Sequence, residues 1–119
     1  MAATKTKRDI IAAATSNSAG GTTTGTAIDL TTKYGGVLTV RITNGATGPT
    51  VAASATVLVS YDNSAFRTYA QVTHNSSNNA VGDWAWDIPP GVMYLRVDVS
   101  GNTAQAVTCE AILQELTTI

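Results

Sequence analysis

Side chains that could perform chemistry are scarce in this sequence. Its 119 residues include one histidine and one cysteine, the types that most often act as a general base and as a nucleophile. His74 lies in the polar stretch H-N-S-S-N-N, which predicts a solvent-exposed loop residue without a catalytic partner. Cys109 alternates with apolar residues, which predicts a small buried side chain. We therefore expect no nucleophile–base pair and no enzymatic activity.

The acidic and glycine-rich stretches lack the patterns of known catalytic or ligand sites. Asp83 and Asp87 flank two tryptophans, but their spacing does not indicate the opposed carboxylates of a glycosidase. Asp62 opens a D-N-S turn without the acidic ladder of a calcium loop. The stretch G-G-T-T-T-G-T at 20–26 has the glycine spacing of a phosphate loop but lacks its lysine. The sequence predicts no metal and no cofactor.

Lys5, Lys7 and Arg8 form a small basic cluster near the start of the chain. They could contact nucleic acid or an acidic partner surface, but three cations are too few for a committed nucleic-acid site, so a solvated terminus is favoured. The net charge is -1 and 13% of residues are charged, against about 25% in an average domain. Such a weakly charged surface favours coverage by neighbouring subunits, since it is poor at keeping a protein monomeric.

Neither a membrane span nor a cleaved signal peptide is expected. No run of about 18 apolar residues occurs, and the apolar stretch at 10–14 is shorter than the roughly seven residues of a signal-peptide core.

Trp84 and Trp86 are the most informative pair in the chain. In a strand their rings share one face with Ile88, about 7 Å apart. The pair could be a wall of the core, a contact with a neighbouring subunit, or a platform that stacks on sugar rings. Ile88 continues the stripe and favours the core. The residues considered for an interface or a ligand site are Lys5, Lys7, Arg8, Trp84, Trp86, Tyr94 and Arg96.

Short alternating stretches separated by turn residues predict an all-β protein. A strand is predicted in G-G-V-L-T-V-R-I-T-N-G at 35–45, and two hairpins are predicted at 57–73 and 84–99. Pro90-Gly91 predicts a type II turn in the second hairpin, with a left-handed glycine. The tail after residue 106 fits either a strand or a helix, and the strand is favoured because its neighbours are strands.

These elements predict one antiparallel β-sandwich, jelly-roll-like, with about seven or eight short strands. Residues 1–25 are expected to form an N-terminal arm and a Ser/Thr/Gly-rich loop, within which 5–14 fits either a strand or an ordered arm. Residues 26–119 are expected to form the sandwich domain.

The sequence resembles a family of small virion proteins. V-L-V-S-Y-D-N-S-A-F-R-T-Y, followed by W-A-W-D-I-P-P-G-V-M-Y-L-R-V-D-V-S-G-N-T, is similar to the β-sandwich accessory structural proteins of tailed bacteriophages, found in the capsid, neck or tail. The resemblance covers residues 57–103. It implies a non-enzymatic protein made in the host cytoplasm and built into the virion, with itself (as a homo-oligomer) and other virion structural proteins as partners.

Similar hairpins also occur in carbohydrate-binding sandwiches. The alternative is therefore a glycan-binding module for host-surface recognition that uses Trp84 and Trp86.

Overall fold

The computed structural model describes residues 2–119, which form nine β-strands in two antiparallel sheets. The strands are β1 (Thr4–Asn17), β2 (Thr22–Thr24), β3 (Ile28–Asp29), β4 (Gly36–Asn44), β5 (Ser54–Ser60), β6 (Arg67–Thr73), β7 (Val81–Ile88), β8 (Tyr94–Ser100) and β9 (Val107–Thr118). The first sheet has the order β1-β9-β4-β7, and the second has the order β2-β8-β5-β6 with β3 also beside β8. No helix that could span a membrane occurs in this part of the chain.

The two shortest strands share one position in the second sheet. β2 pairs with Asp98–Ser100 at one end of β8, and β3 pairs with Tyr94 and Leu95 at the other end. Each sheet therefore has four strand positions, and the strand order is that of a jelly roll with two Greek keys. The predicted all-β sandwich is confirmed.

The core lies between the sheets and follows the period of two. Leu38, Val40 and Ile42 of β4 alternate with more exposed residues and are almost fully buried. Leu95 and Val97 of β8 face them from the second sheet and have no exposed surface. Burying one such side chain contributes about 1.5–3 kcal/mol.

Most of the segment expected to form an arm lies within the sheets. β1 pairs with β9 from Thr4 to Asn17, and Ile10 and Ile11 enter the core cluster. The pairing is interrupted between Ile11 and Thr15, where three exposed alanines bulge outward and Ala14 has a φ of 59°. Because a bulge breaks the alternation of side chains, the strand has no period of two in the sequence. The predicted boundary at residue 25 therefore does not separate an arm from the sandwich.

The tail forms the strand that was favoured, with β9 between β1 and β4 in the first sheet. Its ambiguity in the sequence has a structural origin. Ile112 lies between buried Ala111 and Leu113 and faces away from the core cluster. Even so, only 9% of its surface is exposed. An apolar residue on the outer face mimics the spacing of a helix.

The turn between β7 and β8 is present but is not of the predicted type. The Val92 amide donates to the Pro89 carbonyl at 3.2 Å, which closes the turn. The φ angle of Gly91 is not positive, so this turn lacks the left-handed glycine of a type II turn. Proline at the second turn position is compatible with type I as well, and type I does not require glycine.

A buried amide network joins two loops at one end of the sandwich. Asn102 is fully buried, and its side-chain amide donates to the carbonyls of Asn17 at 3.2 Å and Gln105 at 2.9 Å. The Asn17 side chain donates in turn to the Asn102 side-chain oxygen. These bonds tie the end of β1 to the β8–β9 loop, so Asn102 of the S-G-N-T stretch has a structural role that sequence reasoning missed.

Candidate interaction face

The two tryptophans form a wall of the core at the edge of the sandwich. Trp84 pairs with Val40 and Trp86 with Leu38, which places both indoles on the inner face of β7. Both rings are partly buried and pack against the core cluster. The structure therefore has no outward platform made of the two rings.

His74 covers one of these rings. Its imidazole meets the Trp84 indole edge-on, with centroids 5.7 Å apart and planes at 88°. Its Nε2 lies 3.1 Å from the Ala80 carbonyl oxygen, which accepts a hydrogen bond from the imidazole. His74 lies in the loop after β6, as predicted, but it is half-buried, so the prediction of a solvent-exposed side chain is wrong.

Replacing Trp86 with alanine is expected to reduce the free energy of unfolding by about 2 kcal/mol. Fully buried aromatics cost about 3–5 kcal/mol, and Trp86 is only partly buried. Urea unfolding followed by circular dichroism measures the change. The control is Val81→Ala, on the same strand but 54% exposed, which should cost less than about 1 kcal/mol. Equal midpoints for Trp86→Ala and the wild type would contradict a role in the core.

The basic cluster is divided between two faces of the first sheet. Lys5 and Lys7 pair with Leu116 and Gln114 of β9 and point outward. Arg8 points inward, where its Nη1 donates to both carboxylate oxygens of Glu115 at 3.2 and 3.4 Å. Glu115 is buried, so Arg8 neutralises a charge at the end of the core.

Tyr94 and Arg96 lie on the outer face of the second sheet, away from the tryptophans and lysines. Arg96 forms two hydrogen bonds of 3.0 Å with Asp98 and stacks over the Phe66 ring at 4.4 Å. The seven residues considered in the sequence therefore lie on three separate surfaces and do not form one site.

The outer face of the first sheet carries two neighbouring grooves and is called the interaction face below. Its apolar groove, of about 410 Å³, is lined by residues that include Tyr34, Val37, Pro89, Pro90 and Leu116, with Lys5 and Asp87 among the polar lining residues. Tyr34 and Val37 are 39% and 37% exposed. These apolar residues come from two loops and two strands, so no single stretch of sequence indicates the groove.

A second groove on the interaction face, of about 440 Å³, is lined by three charged residues together with apolar ones. Arg41 lies between Asp83 on β7 and Glu110 on β9 as the direct cross-strand neighbour of both. Its Nε donates to Asp83 at 2.7 Å. The hydrogen bond and charge of Asp83, with the charge of Glu110, raise the pKa of Arg41 above its ordinary value.

No set of three or more His, Cys, Asp or Glu side chains within residues 2–119 is arranged to hold a metal ion. Burial raises the pKa of the Cys109 thiol, which favours its uncharged form. The grooves of the interaction face therefore offer apolar contact and charge pairing rather than reactive groups.

Comparisons with known proteins identify the fold class. No protein-family model and no curated protein matches the sequence. The structure is similar to a chain of the infectious bursal disease virus subviral particle, with a TM-score of 0.57, 10% identity, and coverage of 95% of this chain and 32% of that chain. It is also similar to a Bacillus endospore appendage, described as a disulfide-linked pilus, with a TM-score of 0.54, 7% identity, and coverage of 100% and 93%.

A third similar structure is a cleaved adhesin domain of Lys-gingipain from Porphyromonas gingivalis, with a TM-score of 0.55, 11% identity, and coverage of 92% and 72%. At these identities the likeness establishes the fold alone. The chain is an all-β sandwich domain of a kind that occurs in viral, pilus and adhesin proteins.

Proposed function

We propose that this chain is a non-enzymatic structural protein of a bacteriophage virion, which self-associates and takes an accessory place on the capsid, neck or tail. The observation that carries the proposal is the apolar groove on the interaction face. Tyr34 and Val37 remain more than one-third exposed there, beside two prolines and Leu116. The cores of protein interfaces are enriched in aromatic residues, and in this groove the Tyr34 ring lies beside an extended apolar lining.

Composition and fold support the same proposal. With 13% charged residues, the chain has little charge to keep its copies apart. Its fold is shared with a virus particle protein and a pilus protein, and both of these are parts of assemblies. The bacteriophage origin rests on the resemblance of residues 57–103 to accessory virion proteins.

The inward tryptophans weigh against the glycan-binding alternative. A sugar-stacking platform needs exposed ring faces, whereas Trp84 and Trp86 pack against the core. A glycan module would therefore have to use other side chains.

The proposal is tested by the absolute mass of the full-length protein, measured by light scattering across a range of concentrations. We expect a multimer of the 12.3-kDa chain that persists on dilution. Val37→Asp should shift the mass toward the monomer, because it places a charge in the apolar groove. Val51→Asp is the control, since Val51 is 55% exposed on a loop outside the groove.

A wild-type protein that stays monomeric at every concentration would overturn the proposed self-association. A screen of sugar binding would then test the alternative.

A further inference from the structure

We infer that copies of the chain join edge to edge, with β1 of one copy pairing antiparallel to β7 of the next, so that the first sheet continues from subunit to subunit. This inference rests on the proposed self-association, and it adds a contact between the two open edges of the first sheet to the contact through the apolar groove.

The first sheet has two open edges, and the strands that form them run in opposite directions. β1 and β7 are its outermost strands, and every pairing between them is antiparallel. β1 and β7 therefore run in opposite directions. A second copy placed beside the first by translation alone presents its β1 antiparallel to β7, as a continuing sheet requires.

β7 is a regular edge strand. Its eight residues pair with β4 from Gly36↔Ile88 to Thr43↔Val81 without a register shift, and the strand contains no proline. Its outer edge therefore presents an unbroken row of backbone donors and acceptors, which favours pairing with another strand. β6, an edge of the second sheet, has a register shift where it pairs with β5. Such irregularities protect an edge from pairing.

The available part of β1 is its lysine-bearing half. Beyond Asp9 the edge is occupied, because the Thr26 amide donates to the Ile10 carbonyl at 2.8 Å, and the alanine bulge follows. From Lys5 to Asp9, β1 keeps a continuous register with β9. With Lys7 opposite Asp87, residues 6–9 lie opposite residues 85–88 at the end of β7, and four residues fall within the ordinary range of strand lengths.

The charges on the two edges are complementary. One outward row crosses the whole first sheet from Lys7 through Gln114 and Val37 to Asp87. Continuing this row into the next copy places Lys7 directly opposite Asp87. Opposite charges at directly opposed positions stabilise strand pairing. Within residues 2–119 Asp87 has no ion pair, and Lys7 has only an exposed contact with Asp9 at 4.0 Å.

The same charges disfavour a symmetric contact between two β7 edges. An antiparallel pairing centred on Ala85 would place Asp83 of each copy opposite Asp87 of the other. Like charges at opposed positions destabilise the pairing. A β1–β7 contact uses two different surfaces, so it produces a closed ring or an open filament rather than a two-fold dimer.

The test is a charge exchange between the two edges, read as absolute mass against concentration at low ionic strength. Asp87→Lys makes both edges basic, and Lys7→Asp makes both edges acidic. Each variant alone should weaken the contact roughly tenfold, since an attractive pair becomes a repulsive one. An equimolar mixture should recover the wild-type mass, because basic and acidic subunits then alternate.

Matched controls change the net charge equally but away from the edges of the first sheet. Gln71→Lys with Gln105→Lys matches Asp87→Lys, and Gln71→Glu with Gln105→Glu matches Lys7→Asp. Both glutamines are exposed, and neither lies in the first sheet. These controls should keep the wild-type mass.

Three other results of the mass measurements would overturn the β1–β7 contact. A wild type that assembles while both charge variants behave like their controls would overturn the β1–β7 contact and leave the proposed function standing. A higher mass for Asp87→Lys would show that β7 edges meet each other, and would also overturn it. A monomeric wild type would overturn the contact together with the proposed self-association.

Discussion

Gly36→Ala should destabilise the protein by more than about 4 kcal/mol, the largest effect that we expect from a single substitution. Gly36 begins β4, between Glu115 of β9 and Ile88 of β7. Its φ is +149°, a conformation that side chains rarely adopt, and a β-carbon there would overlap the Gln114 carbonyl oxygen. The obstacle is backbone of a central strand, so no side-chain rotation relieves it.

Soluble yield and the midpoint of urea unfolding measure this effect. Gly91→Ala is the matched control, because no atom lies within 4 Å of its added β-carbon and its φ is not positive. The control should be neutral, or more stable by up to about 1 kcal/mol through the reduced entropy of the unfolded chain. A Gly36→Ala protein with the wild-type midpoint would contradict the close approach of β4 and β9.

Arg8→Ala is expected to cost about 3 kcal/mol of unfolding free energy. The substitution leaves the Glu115 carboxylate buried without its partner, and breaking a buried pair in this way typically costs about 3–5 kcal/mol. The Arg8 side chain is 41% exposed, so water screens part of the interaction and the lower end of the range applies. Thermal or urea unfolding at neutral pH measures the loss.

A second substitution separates the charge from the packing of Arg8. Glu115→Gln in the Arg8→Ala protein should recover part of the stability, because a neutral amide costs less to bury than a carboxylate. Lys7→Ala, which removes a mostly exposed lysine one residue away, should change the stability by less than about 0.5 kcal/mol. If Lys7→Ala and Arg8→Ala changed the free energy of unfolding equally, the ion pair between Arg8 and Glu115 would not stabilise the fold.

Several parts of the fold could be predicted because their information is local. The D-N-S stretch predicted a turn, and the Asp62 carboxylate accepts hydrogen bonds of 3.0 Å from the amides of both Ser64 and Ala65. Hydrogen bonds from Ser64, Ser60 and Ala65 lower the pKa of Asp62. An Asx side chain makes such bonds with residues two or three positions ahead, so the pattern is readable from neighbouring letters.

The candidate interaction face was not readable in the same way. Tyr34 precedes β4, the prolines follow β7 and Leu116 lies near the end of β9, yet all four line one groove. Arg8 was grouped with two lysines by its position in the chain, whereas the strand places it on the opposite face, against Glu115. The sequence does not indicate which carboxylate will form an ion pair with Arg8, because that partner is more than one hundred positions away.

By itself, the sequence determined strands such as β4 and β8 and the side of each of them that is buried. The alternation at 38–42 and 95–99 gives each of these strands one apolar face. Such a face is buried away from water whichever strands become its neighbours. Only the tertiary structure decided the neighbours of each strand, the inward place of the tryptophans at the β7 edge, and the opposite charges on the two open edges. The physical reason is that hydrophobic burial is non-directional, whereas partners across a sheet are chosen by register between distant segments.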